Sequence, residues 1–424
     1  MNSIYSLQEN PLVQGIKVIG IGKHGSKPLP LPLLEEILGY LQTDAAIPIQ
    51  KGAFFGALLA KGPTDEEKRL LYQVIGEENH TLESLYDQLC QDSPPEMKPV
   101  GVKLLSATTL TVAEAQQLGR YLFSEEPGET FRGMAVSMLR IRYESDEEYE
   151  GLYKAILSTY TPGFQETFAG AKTIIQLAEP FDGVEHSYMI TPLLAQAFQK
   201  MGYQVIVSTG RSSGPKLTLN ALDIYQGLGG NFIQDNESLA ETTPEYGRIL
   251  DQAALSPALA QWVDRRRLIL KRPFLATLEK VLNPCGAKIL ITSVFHITYM
   301  EKMIDLAAMA GFSGVIVLKR GLEGTLAPSI AKASGILCAV CQPDGTFITQ
   351  TFDATNESFS SFRAETDEVV ENLSAEDNIA LIEKFTEKGF TGNGDFDLRV
   401  NLAIALYQKG LEWIDKQINN PTSL

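Results

Sequence analysis

Residues 180–229 read PFDGVEHSYMITPLLAQAFQKMGYQVIVSTGRSSGPKLTLNALDIYQGLG. A Gly-containing turn is followed by a helical pattern, a short apolar strand (YQVIVS) and a second loop, 208–214, rich in Ser and Gly. Small-residue loops after strands in a βαβ rhythm leave backbone N–H groups free to face an anion. The same alternation continues on both sides. TIIQLA precedes this stretch, and AKILITSVF, GVIVLKRG and GILCAV follow it. Short apolar strands separated by helices predict a mainly parallel sheet covered on both faces, with ligands at the carboxyl ends of the strands. Between the second and third of these strands, residues 246–284 read as a helical stretch.

The first third of the chain has another character. Residues 31–75 and 112–156 align without a gap at an offset of 81, with ten identities in 45 positions. Tyr40-Leu41 matches Tyr121-Leu122, Gly52 matches Gly133, Asp65-Glu66-Glu67 matches Asp146-Glu147-Glu148, and Leu71-Tyr72 matches Leu152-Tyr153. Leu58/Leu139 and Ile75/Ile156 complete the identities, and Lys61/Arg142 and Thr64/Ser145 are chemically similar pairs. Thr64 and Ser145 are natural N-caps, and Glu67 and Glu148 three residues on complete a capping box in each copy. The expected organisation is a first helical repeat over 1–80, a linker over 81–107, a second repeat over 108–165 and an α/β domain over 166–424.

A chain of 424 residues with 44% hydrophobic and 21% charged residues has the balance of an ordinary globular protein. A net charge of −16 argues against global attraction to nucleic acid. No basic start with an apolar run suggests a secretory leader, and no apolar stretch is long enough to span a bilayer. Four cysteines make no disulfide framework, so a cytoplasmic location is expected. Cys338-x-x-Cys341 reads as strand packing, since positions three apart on a strand point to opposite faces. The four histidines form no metal-ligand spacing.

In order and spacing, these segments resemble the anthranilate phosphoribosyltransferase family over nearly the whole chain. Arg272-Pro273-Phe274 with Asn283-Pro284, VFHITYMEKMIDLAAMAG and the closing helix Asn401–Tyr407 carry the likeness in the α/β part. GAFFGALLAKGPTDEE and the second helical copy carry it in the small domain. The resemblance implies a fold of the nucleoside phosphorylase and phosphoribosyltransferase type, transfer in tryptophan biosynthesis, and dimerisation through the helical domain. It also implies site residues, several of which depart from the family pattern. The family's Gly-Thr-Gly-Gly-Asp loop, which wraps the pyrophosphate of phosphoribosyl pyrophosphate, becomes Phe181-Asp182-Gly183-Val184-Glu185-His186. One glycine remains, and Asp182 and Glu185 repel an anion unless a metal intervenes. Asn-x-Ser-Thr becomes Met189-Ile190-Thr191-Pro192, where Thr191 still offers a hydroxyl. Lys-His-Gly falls near Ser208-Thr209-Gly210, without its cation. Arg211, Ser212 and Ser213 follow as donors to an anion or, alternatively, as a tight strand-to-helix turn. The magnesium-holding Asp-Glu pair becomes Gly321-Leu322-Glu323-Gly324, leaving Glu323 as the candidate magnesium ligand or a solvated loop residue. Arg272 matches the arginine facing the aromatic acid acceptor, with a structural ion pair as its other reading.

The expected identity is therefore a divergent branch of that family with a degenerate donor site and weak or altered transfer of a phosphorylated substrate. The alternative is a non-catalytic binder of single-stranded nucleic acid or another polyanion on the same scaffold. It would use Arg265, Arg266, Arg267, Lys271, Lys319 and Arg320, with Lys280 and Lys288 nearby, unless these are a solvated helix face.

Overall fold

The computed structural model describes residues 9–22, 25–76, 81–166, 172–212, 219–240, 243–271, 273–294, 297–371 and 373–419. Ser213 and Arg272 therefore lie outside the described residues. The chain divides into two compact units, Met1–Thr159 with Gln261–Ala276, and Tyr160–Ala260 with Thr277–Leu424. Residues 261–276, which the sequence reading assigns to the α/β part, cluster with the helical unit.

The helical unit opens with α1 (Pro11–Ile19), α2 (Leu31–Leu41), α3 (Pro48–Lys61) and α4 (Asp65–Ile75). It continues with α5 (Leu82–Leu89), α6 (Lys98–Leu105), α7 (Val112–Leu122), α8 (Glu129–Arg142) and α9 (Asp146–Leu157). The segment 81–107, expected as a linker, holds the helices α5 and α6. Helices α2, α3 and α4 begin 81 residues before α7, α8 and α9 respectively, so the duplication of helical hairpins is present in the fold. Both expected capping boxes form, Thr64 with Glu67 and Ser145 with Glu148.

The copies share their buried polar wiring as well. Glu67 is fully buried and accepts from the N–H of Leu29 (2.9 Å), the N–H of Thr64 (2.8 Å) and Lys61 Nζ (2.6 Å). Glu148, equally buried, accepts from the N–H of Leu110 (2.8 Å), the N–H of Ser145 (3.0 Å) and Arg142 Nη1 (2.9 Å). Every partner in one set lies 81 residues from its counterpart. A buried carboxylate persists only with a cation and hydrogen bonds to offset its lost hydration, and both copies meet that need in the same way.

The copies also face each other. A Cβ on Gly52 would stand 1.8 Å from the carbonyl oxygen of Thr130, and one on Gly133 would stand 2.1 Å from that of Ile49. Gly52 and Gly133 are equivalent positions, as are Ile49 and Thr130. Such reciprocity, in which residue i of one copy meets j of the other and j meets i, is the mark of a two-fold contact. Helices α3 and α8 thus form an internal pseudo-symmetric pair at backbone contact distance. Leu58, Leu139, Leu71 and Leu152 are all buried, as shared faces require.

The second unit is built on an eight-stranded sheet. Its strands are β1 (Ile174–Ala178), β2 (Gln204–Thr209), β3 (Asn231–Phe232), β4 (Arg248–Asp251), β5 (Ile289–Val294), β6 (Gly314–Lys319), β7 (Gly335–Cys341) and β8 (Phe347–Asp353). They lie in the order β3-β4-β2-β1-β5-β6-β7-β8. All pairs are parallel except β6–β7 and β7–β8. A five-residue link containing Gly345 joins β7 to β8, too short for a parallel crossover. Strand β4 corrects the helical reading of 246–284. Its four residues are too short to show a period of two, and it starts from Gly247 at φ +82°. Helices of this unit include α10 (Thr191–Lys200), α11 (Ala221–Gly227), α12 (Gln252–Leu255), α15 (Met300–Met309), α16 (Ala375–Lys388) and α17 (Gly394–Asn419). Between α12 and α15, the segments α13 (Pro257–Ile269) and α14 (Leu275–Leu278) run across the division of the two units. Ile175, Leu177, Val205, Val207, Ile289 and Ile291 are buried, the near-continuous apolar runs of a sheet covered on both faces. The four cysteines are free.

Candidate functional site

The parallel strands β1, β2, β5 and β6 deliver their carboxyl ends to one edge of the sheet, where a doubly wound fold binds ligands. The loop after β1 carries the residues that the resemblance aligns with the pyrophosphate loop. Its surviving glycine, Gly183 (φ +75°), is there for a close approach. A Cβ would stand 2.1 Å from the carbonyl oxygen of Leu219, and the neighbouring Val184 N–H donates to that same oxygen at 2.7 Å. The loop is thus paired to the segment after β2. Asp182 is buried, and its carbonyl lies 3.5 Å from Ser212 Oγ.

The remaining expected donors are placed as follows. Thr191 is fully buried at the start of α10 and gives its hydroxyl to Glu179. Thr209 donates to the carbonyl of Leu250 at 3.3 Å. Gly210 lies against the ring of Phe181. Arg211 lies close enough to Asp251 to oppose the upward pull of burial on that carboxyl's pKa. Ser208 is buried with its hydroxyl unpartnered. It faces a cavity of about 10 Å³ that also touches Gln252 and Glu279. That is room for about one water molecule.

Glu323 sits on a short turn after β6 in the left-handed region (φ 53°). Its carboxylate accepts from the N–H of Glu185 (3.0 and 3.2 Å), the N–H of His186 (2.7 Å) and Ser187 Oγ (3.2 Å). The carboxylate is thus turned to the donors of this loop, and Leu322 stands where the resemblance places a second magnesium-holding carboxylate. The residues here do not fit the implied magnesium. Among the described residues, no three His, Cys, Asp or Glu side chains are grouped to hold a metal.

A cleft of about 440 Å³ opens over this loop, lined by Glu323, Glu365, Asp367 and Glu368 with His186 and Lys332. Asp367 is held below its usual range, although burial alone would raise it. It accepts from Ser329 Oγ, from Ile330 N–H (2.8 Å) and from Arg399 Nη1 (3.3 Å). Glu368 accepts from Tyr188 Oη (2.8 Å). The segment around Val370 closes over the same loop, with Val370 N–H donating to the His186 carbonyl at 3.2 Å. Asn378 on α16 clamps Met189 through both its backbone groups at 2.9 Å.

Glu179, immediately after β1, was missed from sequence. Burial raises its pKa to about 7, while the Thr191 hydroxyl, the Leu326 N–H and the Lys280 charge hold it down. In the unfolded chain the same carboxyl ionises near 4.5. Below pH 4.5 both states carry the proton. Between 4.5 and 7 only the native state keeps it, so this group's contribution to stability falls as pH rises through that window. The drop is about 3 kcal/mol at 1.36 kcal/mol per unit. Glu179→Gln should flatten the decline in melting temperature between pH 5 and 7. An unchanged slope would show that Glu179 is not the titrating group.

The basic run is engaged within the helical unit and makes no open surface there. Arg265 pairs with Glu129 (2.8 Å) and lies 5.5 Å from the Trp262 ring centre. Arg266 is buried and Arg267 pairs with Asp264 at 3.2 Å. The side chains of Arg265 and Arg267 are 17% and 15% exposed, which corrects the solvated-face reading. Burial lowers the pKa of Lys271 to about 8, helped by Arg140 and Lys17. Lys319 and Arg320 belong to the other unit, as does Lys280, which donates to the Ser293 carbonyl at 2.8 Å.

Comparison with known proteins gives the fold a context. The chain is similar to the solved anthranilate phosphoribosyltransferase of Thermus thermophilus, at 15% identity and a TM-score of 0.51, covering 75% of this chain and 97% of that one. It is also similar to a variant of the Saccharomyces cerevisiae anthranilate phosphoribosyltransferase with Mg bound, at 13% identity and a TM-score of 0.53, covering 75% and 91%. At such identities the shared property is the fold. An uncharacterized protein of Aquifex aeolicus (strain VF5) is 24% identical over 219 residues, 52% of this chain and 65% of that protein. The match thus spans somewhat less than two thirds of that relative. No family model matches the chain. Among the described residues, no helix is long and apolar enough to cross a membrane.

Proposed function

We propose that this protein keeps the phosphoribosyltransferase scaffold with a degenerate donor site, so that transfer from phosphoribosyl pyrophosphate to anthranilate is weak or lost. The observation that carries this reading is the charge of the cleft. Glu323, Glu365, Asp367 and Glu368 line it against one lysine, with Asp367 paired to Arg399. A transition state with a departing pyrophosphate needs cations, backbone donors and a metal, and an acidic lining opposes it. The hydroxyls of Thr191 and Thr209 are spent on Glu179 and Leu250. The engagement of Arg265 and Arg267 within the helical unit weakens the single-stranded nucleic-acid reading. A homodimer, which the resemblance implies, would use surfaces other than the α3–α8 contact, closed here within one chain.

Incubation with phosphoribosyl pyrophosphate, magnesium and anthranilate, followed by anthranilate fluorescence, tests the reading. Enzymes commonly turn over at about 1–1000 per second. Turnover is expected below about 0.001 per second, more than three orders of magnitude slower. A rate in the ordinary range would refute the proposal.

A further inference from the structure

Consecutive N–H groups of Glu185 and His186 and the hydroxyl of Ser187 converge on one point, the arrangement by which backbone nests hold anions. That point holds the carboxylate of Glu323, 138 residues from Glu185. The turn that aims it is kept in a costly conformation. Glu323 adopts φ 53° inside Gly321–Thr325, a turn closed by the N–H of Gly324 on the Gly321 carbonyl (2.9 Å) and of Thr325 on the Leu322 carbonyl (3.0 Å). A non-glycine residue there is strained, and such strain persists where the surroundings over-determine it. Glu185 and His186 are themselves exposed residues, so this loop lies at the surface. On the other side, Val370 grips the His186 carbonyl and Glu368 takes the Tyr188 hydroxyl.

We propose that residues 185–187 form an oxyanion-binding site which the chain occupies with its own Glu323, an internal plug that an incoming phosphate must displace. This goes beyond the loss of phosphoribosyl transfer, because it assigns the vacated role of the loop to an intramolecular ligand. The plug is competitive by geometry, since a carboxylate and a phosphate oxygen ask for the same donors. The neighbouring carboxylates Glu365 and Glu368 oppose any anion, and oppose a less charged one least, so inorganic phosphate rather than a diphosphate ester is the appropriate probe.

The test compares the full-length protein with Glu323→Ala and Glu323→Gln. In Glu323→Ala, amide exchange at Glu185 and His186 should quicken at least tenfold, and inorganic phosphate should slow it again. Phosphate should bind this variant at least tenfold more tightly than the wild type. Glu323→Gln, which keeps an acceptor and loses the charge, should fall between the two. Should Glu323→Ala fail to fold, amide exchange in Glu323→Gln decides the same question. Unchanged exchange at both amides, or faster exchange that phosphate neither slows nor exploits for binding, would overturn the proposal. The proposed loss of phosphoribosyl transfer would stand in either case, because it is read from the wild type with a different ligand.

Discussion

Replacing Gly52 or Gly133 by alanine should each cost about 3 kcal/mol of stability, and the double replacement should cost clearly less than the sum. The new Cβ at position 52 would stand 1.8 Å from a backbone oxygen of α8, and that at position 133 would stand 2.1 Å from one of α3. Comfortable contact lies near 3.5 Å, so the helices must part by roughly 1.5 Å along their shared face. Backbone cannot turn aside as a flexible side chain can. The intrinsic gain of alanine over glycine, about 1 kcal/mol in a helix, offsets only part of this. The two clashes concern one gap seen from its two sides, so the separation that relieves the first also admits the second. A coupling of about 1–2 kcal/mol is expected. Gly39 on α2 meets nothing within 4 Å of its Cβ position, and Gly39→Ala should stabilise by up to about 1 kcal/mol. Urea denaturation of the four variants measures all of this. Additive losses, or single losses under about 1 kcal/mol, would show that α3 and α8 do not meet through their backbones.

The duplication was readable because Thr-Asp-Glu-Glu and Ser-Asp-Glu-Glu starts recur at one offset, with Gly52 and Gly133 at matched places in the preceding helices. What the sequence could not show is that the two copies turn those glycines on each other, since pairing is a tertiary fact. In the α/β unit, TIIQLA and YQVIVS were legible as strands because a strand buried on both faces is apolar at every position. Strand β4 was not, because RILD is four residues long and runs straight into helical sequence. Strand β8 was missed for a different reason. Its residues are half-buried or exposed, so it lacks the apolar run that marked its neighbours.

The candidate site was legible as a place and much less as chemistry. Asp182 and Gly183 lie in the loop after β1, Ser208 and Thr209 end β2, and Thr191 opens α10. The Thr191 hydroxyl goes to Glu179, 12 residues back, and the Thr209 hydroxyl to the Leu250 carbonyl, 41 residues on. Glu179 looks like any acidic residue after a strand until Thr191 and Leu326 are folded onto it. Glu323 read as a metal candidate because the resemblance places it at the magnesium-holding pair, and its partners here, two backbone N–H groups and the Ser187 hydroxyl, carry no sequence signal. The acidic strap around Glu365, Asp367 and Glu368 lies roughly 180 residues beyond the loop it covers, a reach that no local pattern reports.

The second large effect concerns the donor itself. Phosphoribosyl pyrophosphate brings several negative charges to a loop whose N–H groups at 185 and 186 already serve Glu323, beneath a cleft lined by four carboxylates. Each unit charge about 4 Å from a like charge costs roughly 4 kcal/mol at an effective dielectric of 20. Magnesium carried on the pyrophosphate would lower that repulsion, but Glu323 is turned to other partners and gives it no added anchor. Calorimetric titration of the wild-type protein with phosphoribosyl pyrophosphate, with and without magnesium, tests this most directly. The scaffold with a dismantled donor site predicts a dissociation constant weaker than about 1 mM, no more than about −4 kcal/mol of binding, and little change on adding magnesium. Micromolar, magnesium-dependent binding would contradict it.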